Sequence, residues 1–162
     1  MDAGKKTITD VISRARILEI PFFQRPYVWG EEQWTRLLED LEELTNLNKP
    51  HFLGSIILKQ LETSASEDIG DRRLLVDGQQ RLTTLLIFFK VTSMKKDGGQ
   101  LFNSVCTTYQ GGIPIIHNHL NQDSFNQILK LDSLETFEPH GDRIIEAYEW
   151  FRKKVNRRYN IR

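Results

Sequence analysis

The sequence contains one cysteine, Cys106, in 162 residues. That excludes an internal disulfide and suits a reducing compartment. It has no net charge, because 22 Lys and Arg balance 22 Asp and Glu. No global field therefore draws in nucleic acid, and any DNA contact has to come from a local patch. No apolar run approaches the roughly 18 residues of a membrane span. The opening MDAGKKTITD lacks the apolar core of a signal peptide. A cytoplasmic protein without a membrane partner is the expectation. The GxxxxGK loop of P-loop NTPases is absent, as are internal repeats and low-complexity segments.

What is present argues for a packed globule: 39% hydrophobic residues, with three Trp, four Tyr and nine Phe. The patterning predicts a short helix over 7–16, capped by Thr7 or Thr9, and a strand over 17–20 that stops at Pro21. PFFQRPYVW (21–29) is too rich in proline and aromatics for a regular element and reads as a stiff loop. A helix follows to about 46, with Trp34, Leu37, Leu38, Leu41 and Leu44 at helical spacing. HFLGSIILKQ (51–60) reads as a buried strand, 61–71 as a mobile polar loop, and 72–76 as a second strand in an antiparallel hairpin. Helices are expected over about 79–94, over 123–131 and from about 141, whereas 97–116 resists assignment.

LLVDGQQRLTTLL carries the most chemistry. An apolar strand delivers Asp77 at its carboxyl end, where α/β proteins place ligands. Gly78 permits a positive φ and close approach by a ligand, and the helix behind it offers unpaired N–H groups to an anion. Arg81 can grip phosphate through its planar fork, and Gln79 and Gln80 can donate or accept. Asp77 can orient water, accept from a sugar hydroxyl, or hold Mg²⁺ through water. Such a set can bind and polarise a nucleoside triphosphate. The plainer alternative is a capped turn, with Asp77 accepting backbone N–H groups and Arg81 paired to an acid.

In the loop before it, Gln24 and Arg25 stand among Phe22, Phe23, Tyr27 and Trp29. An arginine beside aromatic faces suits a phosphate, a base or an exposed nucleotide. Trp29 and Trp34 are expected in the core, and Gln24 and Arg25 are the better functional candidates. His117 and His119 can share one side of an extended segment, but two ligands without a third make a poor metal site. No metal ligand is therefore assigned beyond Asp77. The terminal Arg152, Lys153, Lys154, Arg157, Arg158 and Arg162 can touch DNA phosphate, or can simply form a solvated helix face.

Taken in order, Ile20-Pro21-x-x-Gln24-Arg25-x-Tyr27-x-Trp29, the helix with Trp34 and Leu38-Glu39-Asp40-Leu41, Phe52-Leu53-Gly54-Ser55-Ile56, and Asp77-Gly78-Gln79-Gln80-Arg81-Leu82-Thr83-Thr84 resemble the N-terminal domain family of GmrSD-type restriction enzymes. The resemblance implies an α+β fold with a ParB/sulfiredoxin-like core over 1–96, a small mixed sheet and flanking helices. A helical extension follows over 97–162, ahead of a downstream nuclease domain. It implies NTP binding and hydrolysis with Mg²⁺, regulating a DNA nuclease in antiphage defence. By position, Asp77, Gln80 and Arg81 would be catalytic, and Gly78, Gln79, Gln24 and Arg25 would bind nucleotide. Arg25 and Tyr27 would meet DNA. The implied partners are DNA, the nucleotide, and an HNH-type nuclease domain in cis or as a separate subunit. A non-catalytic sensor of modified DNA, for example phosphorothioate DNA, is the alternative. Phe23 stands where branches of the family that sense phosphorothioate DNA carry Tyr, which removes a hydroxyl. His117-Asn118-His119 spells HNH, but the nuclease motif draws those residues from separate elements.

Overall fold

The computed structural model describes residues 4–47, 52–61 and 71–158. Of the mobile loop expected over 61–71, residues 62–70 lie outside them, as does Arg162. Ten elements follow in order: α1 (Ile8–Val11), β1 (Arg16–Glu19), α2 (Glu31–Leu47), β2 (Ile57–Gln60), β3 (Asp71–Asp77), α3 (Gln79–Asp97), α4 (Gln100–Val105), β4 (Ile115–Ile116), α5 (Gln122–Leu129) and α6 (Arg143–Arg158). The fold is α+β: a four-stranded mixed sheet in the order β2-β3-β1-β4, with helices around it.

Topology decides where a site can form. β1 runs parallel to β3 on one side, pairing Glu19 with Leu74, and to β4 on the other, pairing Glu19 with Ile116. The carboxyl ends of three strands therefore share one edge of the sheet. β2 is antiparallel to β3 and begins at that same edge, with Ile57 opposite Asp77 and an irregularity between Ile57 and Leu58. Four connections gather there: residues 20–30 after β1, 52–56 before β2, Gly78 after β3, and 117–121 after β4. Ligands of open α/β sheets collect at such edges.

The local chemistry explains most of the elements. Thr7 caps α1 in a capping box: its hydroxyl accepts from Asp10 N, and the Asp10 carboxylate accepts from Thr7 N at 2.8 Å. α1 then ends at Val11, shorter than the apolar spacing suggested. Gly98, in the left-handed region at φ 67°, ends α3. α3 is buried on nearly every side, and polar Thr83, Thr84 and Ser93 are enclosed with Leu82, Leu86, Ile87 and Val91. α6 lies against it through Phe151, whose ring centroid sits 5.3 Å from that of Phe88, and reaches α2 through Trp150 and Trp34 at 5.9 Å. One hydrophobic cluster extends from Val11 to Val155, across both sides of residue 97. β4, from the stretch that resisted assignment, supplies the fourth strand.

One expectation needs correction. The apolar run before residue 60 is not a buried strand: only Ile57–Gln60 are strand, and just Leu58 of these four is half-buried. As an edge strand, β2 has one open side. In the loop after β1, Phe23 is 71% exposed and meets Phe22 edge-to-face at 5.5 Å.

Candidate functional site

The two sequence signatures meet. Gln24, Arg25 and Trp29 from the loop, Ser55 from the segment before β2, and Val76 to Arg81 from the end of β3 and the start of α3 line one open cleft of about 330 Å³. Gly78 turns the chain at φ 92°, and a side chain there would run into Ile56 Cγ1 at 2.9 Å. Only glycine makes this turn without strain and leaves room for the segment above it. Asp77 is exposed, and its Oδ1 accepts from Gly78 N at 2.8 Å. No partner engages its other oxygen among the described residues. Of the plainer alternative, the backbone cap on Asp77 is present, whereas no carboxylate pairs with Arg81 or Arg25 among the described residues.

Gln79 and Gln80, adjacent in sequence, work differently. Gln80 is buried, and both ends of its amide engage the loop. Oε1 accepts from Val28 N at 2.9 Å and Trp29 N at 3.3 Å, while Nε2 donates to Pro26 O at 3.1 Å. It braces the cleft wall through these three backbone contacts. The Gln79 Nε2 lies 3.4 Å from both Gln24 Oε1 and Arg25 O, and its buried Oε1 has no partner. Gln24 in turn donates from Nε2 to Val76 O at 3.2 Å, tying the loop to β3.

Tyr27 corrects an expectation. Far from facing DNA, it is 2% exposed, and its hydroxyl stands in a buried relay whose direction can be worked out. The Thr84 hydroxyl has one hydrogen and donates it to Gln80 O at 2.7 Å. Tyr27 must therefore donate to Thr84 Oγ1, also at 2.7 Å, and accept from Trp34 Nε1 at 2.7 Å. Protons point one way from α2 through the loop to α3, an arrangement in which each bond polarises the next. Burial pushes the Tyr27 phenol well above its ordinary range, despite its hydrogen bonds with Thr84 and Trp34. Trp34 is core as expected, whereas Trp29 is half-buried and also lines the cleft.

No bracing role was expected of residues 117–121, yet they support the loop from beneath. The Asn121 Oδ1 accepts from Tyr27 N at 2.8 Å. Asn118 Nδ2 reaches Gln24 O at 3.4 Å and Arg25 O at 3.5 Å, long contacts that bring it under the same turn. His117 is buried, and its Nδ1 accepts from Asn118 N at 3.2 Å. The proton is therefore on Nε2, which donates to Thr83 Oγ1 at 3.1 Å. Burial takes its pKa down to about 4, so the ring is neutral at pH 7. His119 is exposed, and among the described residues no group of three or more His, Cys, Asp or Glu can hold a metal. The lone thiol is no nucleophile: Cys106 is buried and pushed up to about 12 by desolvation.

Three basic residues at the end of α6 have partners within the fold. Arg152 pairs with buried Glu149 at 2.8 Å, Lys154 lies over the Trp150 ring at 5.0 Å, and Arg158 pairs with Glu42. No helix of the described residues is long and apolar enough to cross a membrane.

The α+β domain thus gathers, at the end of the sheet where its parallel strands finish, a cleft with a helix start, one exposed carboxylate and two arginines that have no acidic partner among the described residues, groups that together suit an anion. The sequence also identifies its family. The family model described as GmrSD restriction endonuclease, N-terminal domain, matches residues 8–161, and the chain belongs to that family. It is thereby a domain associated with DNA restriction. No curated protein matches the sequence.

Proposed function

We propose that this domain binds and hydrolyses a nucleoside triphosphate in the cleft, and that it regulates a DNA nuclease in modification-dependent restriction. One observation carries this reading. Gln24 and Arg25, about 55 residues upstream, meet Asp77 to Arg81 in a single cleft where neither arginine has an acidic partner among the described residues. Unneutralised guanidinium groups beside a helix start suit phosphate, because charge-assisted bonds to phosphate oxygens replace those to water. A volume near 330 Å³ is at the lower end for small-molecule sites and suits a polyphosphate tail better than an enclosed base.

In this reading Arg81 and Arg25 hold the phosphates and stabilise the charge that grows as water attacks the terminal phosphorus. The water oxygen bonds to phosphorus as the bridging P–O bond breaks, and the lost proton passes to solvent or phosphate. Asp77, steadied on one oxygen by Gly78 N, orients that water with the other. Gly78 and the N–H groups behind it face the anion. Gln80 is a positioning residue for the loop, and Gln79, with its unpartnered Oε1, lines the wall. Mg²⁺ usually keeps several waters and takes one or two carboxylates plus substrate phosphates. A cleft with one exposed carboxylate fits a metal that arrives with the nucleotide, with Asp77 holding it directly or through water. When bound, Mg²⁺ would neutralise phosphate charge. An HNH-type nuclease domain, in cis or as a partner subunit, would receive the signal.

The test is phosphate release from a panel of NTPs with Mg²⁺ by the full-length protein, with and without DNA, after circular dichroism shows the variants folded. Asp77→Ala and Arg81→Ala should each lower turnover by at least about a hundredfold. Wild-type turnover in those variants would contradict the assignment, and no turnover by wild type would contradict hydrolysis itself.

A second reading is a sensor of modified DNA that does no chemistry. It is favoured by the loop crest, where Phe22 is 84% and Phe23 71% exposed beside exposed Arg25. Stacking faces next to a free cation suit an exposed base or a sugar-phosphate edge. It predicts salt-sensitive DNA binding that weakens in Arg25→Ala. Equal binding by the variant and wild type across a salt series would dispose of it.

A further inference from the structure

The segment Phe52-Leu53-Gly54-Ser55-Ile56 reaches the cleft through Ser55, and Gly54 beside it has a backbone φ of 111°. A Cβ built there would lie 2.5 Å from Arg81 Nη1, 2.6 Å from Cζ and 2.8 Å from Nη2. The guanidinium is therefore laid face-on against the bare α-carbon of Gly54. Its one hydrogen bond among the described residues is marginal: Nη1 donates to Ser55 O at 3.5 Å. No carboxylate fixes Arg81 among the described residues. A charge with no ion-pair partner still needs something to aim it. Contact with the glycine backbone is what the structure offers. The same segment crosses the other end of the turn, where a Cβ on Gly78 would meet Ser55 O at 3.2 Å.

We propose that Gly54 is a positioning residue: its missing side chain makes the slot that aims the Arg81 guanidinium at the phosphates of a bound nucleotide. This role rests on the nucleotide reading of the cleft. It gives a function to a motif otherwise read only as the approach to β2. A planar guanidinium needs a flat, shallow bed, and a methyl group there would tip its donors away from the cleft or lift the segment from the turn. Lysine is slimmer and donates from a point rather than a fork, so it should tolerate that methyl better than arginine does.

A double-mutant cycle on the full-length protein tests this, using Mg·ATP and, separately, pyrophosphate as probes in equilibrium titrations. Gly54→Ala should weaken Mg·ATP binding about tenfold, the loss expected when a charge-assisted bond to phosphate is misdirected. In the Arg81→Ala background it should cost nothing further, because backbone strain from the positive φ is common to both backgrounds and does not contribute to the coupling. In the Gly54→Ala background, Arg81→Lys should restore part of the loss, while on its own it should weaken binding. Equal loss on both backgrounds would reduce Gly54 to a structural residue and overturn the proposal. Should Arg81→Ala itself leave both probes bound as tightly as in wild type, the nucleotide reading fails first and the positioning role goes with it. Should Gly54→Ala not fold, nuclear Overhauser contacts between the Gly54 α-protons and the Arg81 side chain in wild type decide the matter. Their presence supports the slot and their absence contradicts it.

Discussion

Gln80→Leu should loosen the cleft from one side without touching a ligand. Leucine nearly matches glutamine in volume and suits the buried face of α3, so little packing is lost. What disappears is an amide that accepts from Val28 N and Trp29 N and donates to Pro26 O. An orphaned buried donor or acceptor costs about 1–3 kcal/mol. Val28 is exposed and Trp29 half-buried, so water can reach part of this turn, and the low end applies. The sum is about 2–4 kcal/mol, a fall of roughly 5–15 °C in Tm for a chain of this size. Urea denaturation gives the stability change, and hydrogen exchange locates it: the amides of Val28 and Trp29 should lose protection before those of β1. Gln80→Glu, which keeps an oxygen facing both N–H groups, should fall between. If Gln80→Leu melts within about 0.5 kcal/mol of wild type with both amides equally protected, the two motifs are not one braced unit.

Two further outcomes follow from the buried polar groups. Burial lowers the His117 pKa from its ordinary 6.5 to about 4, so below pH 6.5 the unfolded chain binds the proton that the folded chain refuses. Stability contributed by the neutral ring is intact above pH 6.5 and falls toward pH 4, by about 3 kcal/mol over that window. His117→Gln should flatten that part of a stability–pH curve measured by denaturant titration, and an unchanged slope would contradict the assignment. Tyr27→Phe removes the middle of the relay and leaves Trp34 Nε1 unpaired, at a cost of about 1–3 kcal/mol in urea denaturation. The salt dependence of any DNA binding should stay the same in this variant, since the hydroxyl is buried, and a changed salt slope would return Tyr27 to the interface.

How much of this was legible in the sequence follows from the range of the interactions. Asp77 at a strand end, Gly78 at the turn and α3 behind it are local events, written in apolar spacing and one glycine. The joining of Gln24 and Arg25 to that turn follows from β1 lying parallel to β3. Pairing across some 55 positions leaves no periodic trace, and only the family resemblance brought the two strings together beforehand. Single polar side chains were the hardest to read. Gln80 resembles a catalytic amide until its three backbone partners are seen, and Tyr27 resembles a surface aromatic until Thr84 and Trp34 are placed on its hydroxyl. Asn118 and Asn121 brace the loop from a stretch whose composition says only turn. The apolar run before residue 60 misled because it resembles a buried strand; the sheet ends at β2, leaving Ile57 half open to solvent.

The claim that both motifs build one anion-binding cleft is tested most directly by titrating a non-hydrolysable NTP analogue with Mg²⁺ against wild type, Arg25→Ala, Arg81→Ala and the double variant. Each single variant should weaken binding about tenfold or more, and the double should lose less than the product of the two, because both groups share the same phosphates. Binding that depends on Arg81 but ignores Arg25 would separate the motifs, and binding that ignores both would place the nucleotide elsewhere.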